Sequence, residues 1–186
     1  MPTVTKALVV RSVDYKDSDK ILTLLTPDMG KLSAGARGCR KKGSAIAAAC
    51  QLLCWSELVL SDRGGKWSVS EASTLREFLG VRRDLDKLAL ACYFAEMAEV
   101  LSVEGMPSPG LLSLTLNSLH ALECLDRPPE QIKAVFELKA MCLAGYEPLI
   151  EGCALCGEEN PEQAWFHLRE RSEERRVGKE CRSRWS

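Results

Sequence analysis

The apolar residues of this chain change their spacing near residue 80. Before that point they occur in short segments with a period of two, which is the spacing of β-strands with one buried face. From Asp84 onward they recur with the spacing of an α-helix. A run of strands followed by a run of helices predicts an α+β fold, with a β-barrel followed by an all-α domain.

The first part of the sequence predicts five short strands, at residues 5–15, 20–26, 31–37, 51–61 and 66–71. Turns are predicted at residues 27–30 and 62–65, where glycines can adopt a positive φ. Residues 45–50 are small and suit a single helical turn. Five short strands suit a small closed barrel, and the long cationic connection after the third strand favours an OB fold over a sandwich.

Three helices are predicted in the second part. The first, residues 84–102, begins at the N-cap Asp84 and is apolar on nearly every face between Leu88 and Ala95, which predicts a central, buried helix. The second, residues 108–125, opens with a serine followed by a proline at the first helical position. The third, residues 129–144, ends at Gly145 as a C-cap.

The connection after the third strand is the strongest candidate for a binding surface. It carries four closely spaced cations among glycines that let its backbone approach a partner: Arg37, Arg40, Lys41 and Lys42. Lys31 and Arg11 on neighbouring strands are weaker candidates. Lys and Arg outnumber Asp and Glu by 12 to 8 in residues 1–80, but are outnumbered 10 to 6 in residues 81–150 and 5 to 1 in residues 151–170. This asymmetry predicts that the N-terminal part contacts a polyanion; a merely solvated loop is the alternative.

Three aromatic residues of the predicted barrel are candidates for stacking on nucleic-acid bases: Trp55, Trp67 and Tyr15. A tryptophan on a short strand more often belongs to the core, so a core role is the alternative for each. With so few aromatic residues near the cations, we expect contact with the phosphate backbone and little preference for base sequence.

Cys153 and Cys156 form a CxxC motif flanked by glycines, which is half of a tetrahedral zinc site. The second CxxC that would complete it is absent from the sequence, and His167 is a candidate substitute that is more often a packed residue. A redox role is disfavoured because the motif follows a helix and a loop instead of a strand. Five other cysteines lie in apolar segments and are predicted to be reduced core residues: Cys50, Cys54, Cys92, Cys124 and Cys142.

Residues 171–186 have no apolar periodicity and resemble the translation of a sequencing-adaptor DNA. We therefore expect a non-native tail and a native sequence truncated near Glu170, and we exclude the tail from the functional interpretation. No apolar run approaches the roughly 20 residues that cross a bilayer. The N-terminus has no signal-peptide layout, so a cytoplasmic location is expected.

Eight short segments, taken in order, match the pattern of a known family. They are DY, DKILTLLTP, GKL, ARGCRKK, VRRDL, FELK, GYEP and CALCG, at residues 14–15, 19–27, 30–32, 36–42, 81–85, 136–139, 145–148 and 153–157. Their order is more specific than any one of them alone. Over residues 1 to about 170 the chain resembles the RecO family of bacterial DNA repair and recombination-mediator proteins.

The resemblance implies an OB-fold domain at residues 1–80, a helical domain at 81–150 and the first half of a zinc-binding element at 151–170. It implies a protein that is not an enzyme, but binds single- and double-stranded DNA and anneals complementary strands. With RecR and RecF it would help to load RecA onto DNA coated by single-strand-binding protein, in the cytoplasm at the nucleoid. Zn²⁺ would be held by Cys153 and Cys156 in the intact protein, and weakly or not at all by this half-site.

The acidic C-terminal tail of single-strand-binding protein is a further implied partner, and such a tail needs cations at the rim of its groove. The candidates in the helical part are Arg127, Lys133 and Lys139, each of which is otherwise a solvated residue. Two other classes of function stay open. A nuclease would need clustered carboxylates such as Asp14, Asp17 and Asp19, whereas a zinc-ribbon interaction or regulatory module would bind partners without DNA.

Overall fold

The computed structural model of the chain describes residues 2–148. Within that range, five β-strands precede four α-helices, which confirms the predicted α+β class. The strands are β1 (Pro2–Tyr15), β2 (Asp19–Thr26), β3 (Gly30–Ala36), β4 (Trp55–Asp62) and β5 (Trp67–Arg76). The helices are α1 (Leu79–Arg82), α2 (Leu85–Leu101), α3 (Pro109–Cys124) and α4 (Pro129–Leu143).

The five strands close into a barrel in the order β1-β2-β3-β5-β4, with β4 pairing back onto β1. Every neighbouring pair is antiparallel except β3 and β5, which run parallel over a short contact. This order is consistent with the predicted OB-type barrel. The short parallel contact is the weakest junction of the ring, because it has the fewest paired residues.

The strand β1 is buried on both faces, because it contributes to two apolar clusters. Ala7 and Val9 lie in the barrel interior with residues from the other four strands. Leu8 and Val10 lie in a second cluster, which includes residues of all four helices. Successive side chains of a strand point to opposite faces, so a continuous apolar run serves both clusters at once.

The helices pack on the outer face of the barrel around aromatic residues of their own. Phe94 of α2 stacks on Phe136 of α4 with ring centroids 4.2 Å apart, and both rings are fully buried. Asp84 caps α2 as predicted, because its side chain accepts hydrogen bonds from the backbone N–H groups of Asp86 and Lys87 at 3.0 and 3.1 Å.

Two strand boundaries differ from the predicted ones by four or more residues, those at the start of β4 and at the end of β5. Residues 51–54 form turns instead of the start of β4, because Leu53 has a φ of 64° and its N–H donates to the carbonyl of Val9 at 2.8 Å. β5 continues past residue 71 to Arg76, because it keeps pairing with β4 as far as Trp55. Cross-strand pairing of this kind is not visible in a local pattern.

The prediction that α2 is a central, buried helix, apolar on nearly every face between Leu88 and Ala95, holds only in part, because Ala89 is exposed and the ends of the helix are more exposed still. Leu85 and Val100 are 79% and 78% exposed. The fully buried positions of α2 form a single stripe: Ala91, Phe94, Ala95 and Ala98. A helix with apolar residues on every side gives no sequence signal for which side packs, so the contacts with β1 and the other helices decide it. The four-residue helix α1 was not predicted.

The end of α4 follows the prediction, because Gly145 has a φ of 90° and its N–H donates to the carbonyl of Cys142 at 3.0 Å. Residues up to Ala140 form one compact unit, and residues 141–148 lie outside it. The predicted domain boundaries at residues 80 and 150 stay predictions. The predicted zinc-binding element and the predicted tail lie outside the described residues.

The turn between β2 and β3 requires glycine at position 30 for two reasons. Gly30 has a φ of 64°, and a Cβ at this position would collide with the backbone of Met106 in the segment after α2. The hydroxyl of Thr26 holds the same turn, since it accepts from the N–H of Met29 at 3.1 Å and donates to the carbonyl of Gly30 at 2.9 Å.

Gly30→Ala should lower the free energy of unfolding by roughly 3 kcal/mol, because a left-handed Cβ costs about 1–2 kcal/mol and overpacking about 1–3 kcal/mol. Gly64→Ala is the matched control: Gly64 also has a φ of 64°, but among the described residues nothing lies within 4 Å of a Cβ there. It should lose only the backbone part. Urea unfolding of both variants measures the difference, and equal losses would contradict the collision with Met106.

Candidate nucleic-acid interface

A groove of about 590 Å³ crosses the face of the barrel where β2, β3 and β5 meet. Five cations line it, and they come from the turns between β1 and β2 and between β4 and β5, from β2 and from the chain after β3: Lys16, Lys20, Arg37, Arg63 and Lys66. In OB folds, the face of strands 2 and 3 and these same two loops bind oligonucleotides. The groove therefore lies where an OB-type barrel binds its ligand.

Two of the three candidate aromatic residues line the groove. Tyr15 is 47% exposed, so its ring can present a face to a base. Trp67 lines the groove too, and it packs partly against the barrel interior. Trp55 packs against the cluster between the barrel and the helices, which favours the alternative core role for this residue.

The groove has an excess of positive charge. Two carboxylates, those of Asp19 and Glu104, face the five cations. Asp19 is already engaged, because its Oδ1 accepts hydrogen bonds from the N–H of Gly38 at 2.8 Å and from the hydroxyl of Ser18 at 3.4 Å. A polyanion is the chemical complement of such a surface.

The predicted cationic loop is a series of tight turns fixed to the turn between β1 and β2. The N–H of Arg40 donates to the carbonyl of Ser18 at 2.9 Å. Its guanidinium lies 3.3 Å from the carboxylate of Asp14, although both side chains stay partly exposed. These contacts, with that between Gly38 and Asp19, hold the loop at one end of the groove.

A second hollow of about 590 Å³ lies beside this loop, and its cations are Lys20, Arg40, Lys41 and Arg82. Lys20 lines both the groove and the second hollow, so the two form one continuous cationic surface. Lys42 is exposed on the same loop. Of the four predicted loop cations, Arg37 thus lies in the groove, and Arg40 and Lys41 lie in the second hollow.

Arg11 and Lys31 lie at a different place from the loop cations. The guanidinium of Arg11 is 3.3 Å from the carboxylate of Glu99, and the ammonium of Lys31 donates to the carbonyl of Glu99 at 2.7 Å. Glu99 is in the last turn of α2, where a cation complements the partial negative charge of the helix end. The structure therefore joins these two cations to α2 instead of placing them in the groove.

Sequence reasoning missed four of the groove cations: Lys16, Lys20, Arg63 and Lys66. They are spread over two turns and a strand, so no run of charge marks them. The predicted fold itself could have identified the cations in the turns, since an OB-type barrel places the connections between its first and second strands and between its fourth and fifth strands at the binding face. Cations in those two turns could have been selected on that ground.

Two of the three carboxylates considered for a nuclease site have structural contacts. Asp14 pairs with Arg40, Asp19 binds the loop backbone, and Asp17 is exposed. Asp14 and Asp19 therefore have a structural role, because they hold the cationic loop in place.

The predicted partner-binding cations are dispersed. Arg127 is exposed in the turn between α3 and α4. Lys133 lies 3.6 Å from the carboxylate of Glu137 on the same helix. Helix geometry separates Lys133 and Lys139 by about 120° around the α4 axis. These two residues therefore point to different sides of α4, and their proposed shared role stays a prediction.

Three cysteines between β3 and β4 are buried, one in the cationic loop and two after it: Cys39, Cys50 and Cys54. Burial raises the pKa of Cys50 to about 12, and the neighbouring Cys39 thiol adds to the effect. Burial also raises the pKa of Cys39 and that of Cys54. The predicted core position of Cys124 is wrong, because the residue lies on the exposed side of α3.

The barrel, its cationic groove and the attached helices define an α+β protein with a binding face suited to a polyanion. Residues 1–78 match the family model described as Recombination protein O N terminal, and residues 82–184 match Recombination protein O C terminal. The chain therefore belongs to the RecO family. The second match extends into the segment predicted to be a non-native tail, and that prediction stays untested.

Similar curated proteins carry the name DNA repair protein RecO. The protein of Acetivibrio thermocellus is 34% identical over 162 residues, which cover 87% of this chain and 64% of that protein. The protein of Dehalococcoides mccartyi is 34% identical over 82% of this chain and 60% of its own length. That of Desulfitobacterium hafniense is 36% identical over 82% of this chain and 55% of its own length. The chain thus spans less than two thirds of the length of these relatives.

Among residues 2–148, no helix combines the length and apolar character needed to cross a membrane. Cys153, Cys156 and His167 lie outside the described residues. The predicted zinc half-site therefore stays a prediction.

At pH 8, iodoacetamide should modify Cys124 rapidly and Cys50 very slowly. With a pKa of about 12, only about one Cys50 thiol in ten thousand is ionised at pH 8. This fraction is far smaller than that of a free cysteine, and the thiolate is the form that reacts. Peptide mapping by mass spectrometry measures both reactions, and unfolding in urea should make Cys50 reactive. Rapid modification of Cys50 in the native protein would contradict its burial.

Proposed function

We propose that this chain binds the phosphate backbone of DNA through the groove and the adjoining cationic loop, as part of a recombination-mediator protein. The observation that carries the proposal is the convergence of five cations and two aromatic side chains on one face of the barrel. Membership of a family whose curated members are named DNA repair proteins supports the same function.

Lys and Arg side chains that neutralise phosphates release counterions, so the affinity should fall steeply with salt. Among residues 2–148, the groove offers many charged groups and only two aromatic rings. Stacking on two rings tolerates any base, since every base has a π-face. We therefore propose binding of single- and double-stranded DNA with little sequence preference.

The groove and the second hollow share Lys20, and this arrangement supports annealing of complementary strands. One strand in the groove and a second along the loop would have their charges neutralised side by side, with Lys20 contacting both. Neutralisation reduces the repulsion between the two backbones and leaves the base edges available for pairing.

The later steps of the proposal rest on family membership and concern the whole protein. They are cooperation with RecR and RecF, docking of the acidic tail of single-strand-binding protein at Arg127, Lys133 or Lys139, and loading of RecA onto the coated strand. Zinc at Cys153 and Cys156 belongs to the same set of proposals.

Reversal of three groove charges in the variant Lys16→Glu/Arg63→Glu/Lys66→Glu should weaken binding to an oligo-dT at least tenfold. Loss of three phosphate contacts should also reduce the slope of log K against log salt by about 2, at roughly 0.7 per contact on a single strand. Fluorescence anisotropy over a salt series measures both quantities.

Lys6→Glu is the control for charge reversal, because Lys6 is exposed on β1 opposite Glu57 and is not among the groove residues. It should leave the salt slope nearly unchanged. If the wild-type chain binds no single-stranded DNA even at low salt, the proposal fails and a protein-interaction or regulatory module becomes the better interpretation.

Reversal of the loop charges in the variant Arg40→Glu/Lys41→Glu/Lys42→Glu should slow annealing of two complementary oligonucleotides at least tenfold. The effect on binding of one strand should be smaller than that of the groove variant, because Arg40 and Lys41 line the second hollow. A fluorescence-quenching assay at low salt follows annealing. Unchanged annealing would contradict the role assigned to the loop.

A further inference from the structure

The helix α3 presents three different metal-ligating side chains near its C-terminal end. His120, Glu123 and Cys124 are three and four residues apart and so share one side of the helix. One ligand atom of each lies within 4.8 Å of the others. Tetrahedral zinc binds nitrogen, oxygen and sulfur at roughly 2.0–2.3 Å, so small rotations of these side chains would bring all three onto one ion.

The three side chains already converge on a single cationic atom. Nη2 of Arg76, at the end of β5, lies 2.8 Å from Nδ1 of His120, 2.7 Å from Oε2 of Glu123 and 3.8 Å from Sγ of Cys124. Because a guanidinium can only donate, Nδ1 of His120 must be the unprotonated nitrogen in this contact. Neutral imidazole with a free lone pair is the form that ligates metals.

The carboxylate of Glu123 is also fixed by a hydrogen bond to the backbone of α1. Its Oε1 accepts a hydrogen bond from the N–H of Gly80 at 3.0 Å, while Oε2 faces Arg76. A Cβ on Gly80 would lie 2.9 Å from the Cγ of Glu123, so the side chain approaches this closely only because residue 80 is glycine. A second hydrogen bond of this kind orients the carboxylates that ligate metals.

We propose that His120, Glu123 and Cys124 form a binding site for Zn²⁺ or a similar borderline divalent ion, and that Arg76 competes with the ion for this site. A thiol and an imidazole favour zinc, cobalt or nickel over magnesium and calcium, which prefer oxygen ligands. Solvent would complete the coordination as the fourth ligand. The site uses different residues from the CxxC motif and needs no DNA.

Displacement of Arg76 should cost little. The Arg76 side chain is 41% exposed and that of Glu123 is 18% exposed, and an ion pair that is open to solvent on one side changes an equilibrium by about fivefold. The displaced guanidinium can stay near the ring of Phe78, 5.0 Å away. An ion at this site would take the position of the guanidinium, so its binding would loosen the contact between Arg76 and α3.

The test is titration of the full chain with Co²⁺, in a Cys153→Ser/Cys156→Ser background that removes the other pair of candidate ligands. We expect one equivalent to give a thiolate-to-cobalt charge-transfer absorption in the near ultraviolet, which stoichiometric Zn²⁺ then removes. Cys124→Ser should abolish the absorption, and His120→Ala should weaken binding at least tenfold. Both residues are exposed, so these changes leave the fold intact, as urea unfolding will verify.

Two further variants separate the proposal from non-specific thiol binding. Arg76→Ala removes the competing cation and should tighten Co²⁺ binding about fivefold. Cys142→Ser removes a half-buried thiol of α4 and should change nothing. An absent charge-transfer absorption, or one that survives Cys124→Ser, would overturn the site. Unchanged affinity in Arg76→Ala would overturn the competition.

Discussion

Both apolar clusters of the protein depend on β1. Residues 2–8 of this strand pair with β4 and residues 8–15 pair with β2, so β1 closes the barrel along both of its edges. Alternate residues of its central run serve the barrel interior and the cluster shared with the helices. A slip of one residue would exchange the two sets, which is why a register shared by two cores is strongly specified. Closure of the barrel and attachment of the helices are thus fixed by the same few residues.

The groove is a consequence of that closure. A closed ring brings the turn after β1, the chain after β3 and the turn before β5 to one end of the barrel, although they are far apart in sequence. Asp19 then binds the backbone of Gly38, which keeps the cationic loop close to the groove. A carboxylate in a cationic site reduces the net charge. Here it also fixes the position of the remaining charges, which lowers the conformational cost of binding.

The five strands, the three long helices and several of their ends could be predicted because local patterns carry them, whereas Ser108 makes no side-chain cap hydrogen bond at the start of α3. Asp84, Gly30 and Gly145 each occupy the position that the sequence indicated, since capping and positive φ depend on near neighbours. The buried side of α2 and the extension of β5 could not be predicted, because packing and cross-strand pairing decide them. The candidate site was predictable in part for the same reason. A run of charge identified the loop, whereas single cations in separate turns needed the barrel order to bring them together.

The excess cations of residues 1–80 have two roles in the structure. Some contact acidic residues of the helices, and others form the cationic groove and loop. Three of the twelve cations in residues 1–80 contact the helices: Arg11 and Lys31 bind Glu99, and Arg76 binds Glu123. The acidic character of the helical part therefore partly complements the barrel instead of only contrasting with it. Net charge alone overstates the positive surface that a nucleic acid would meet. The local density of cations in the groove and loop is the better indicator, because phosphates respond to charges within about a Debye length, roughly 8 Å in physiological salt.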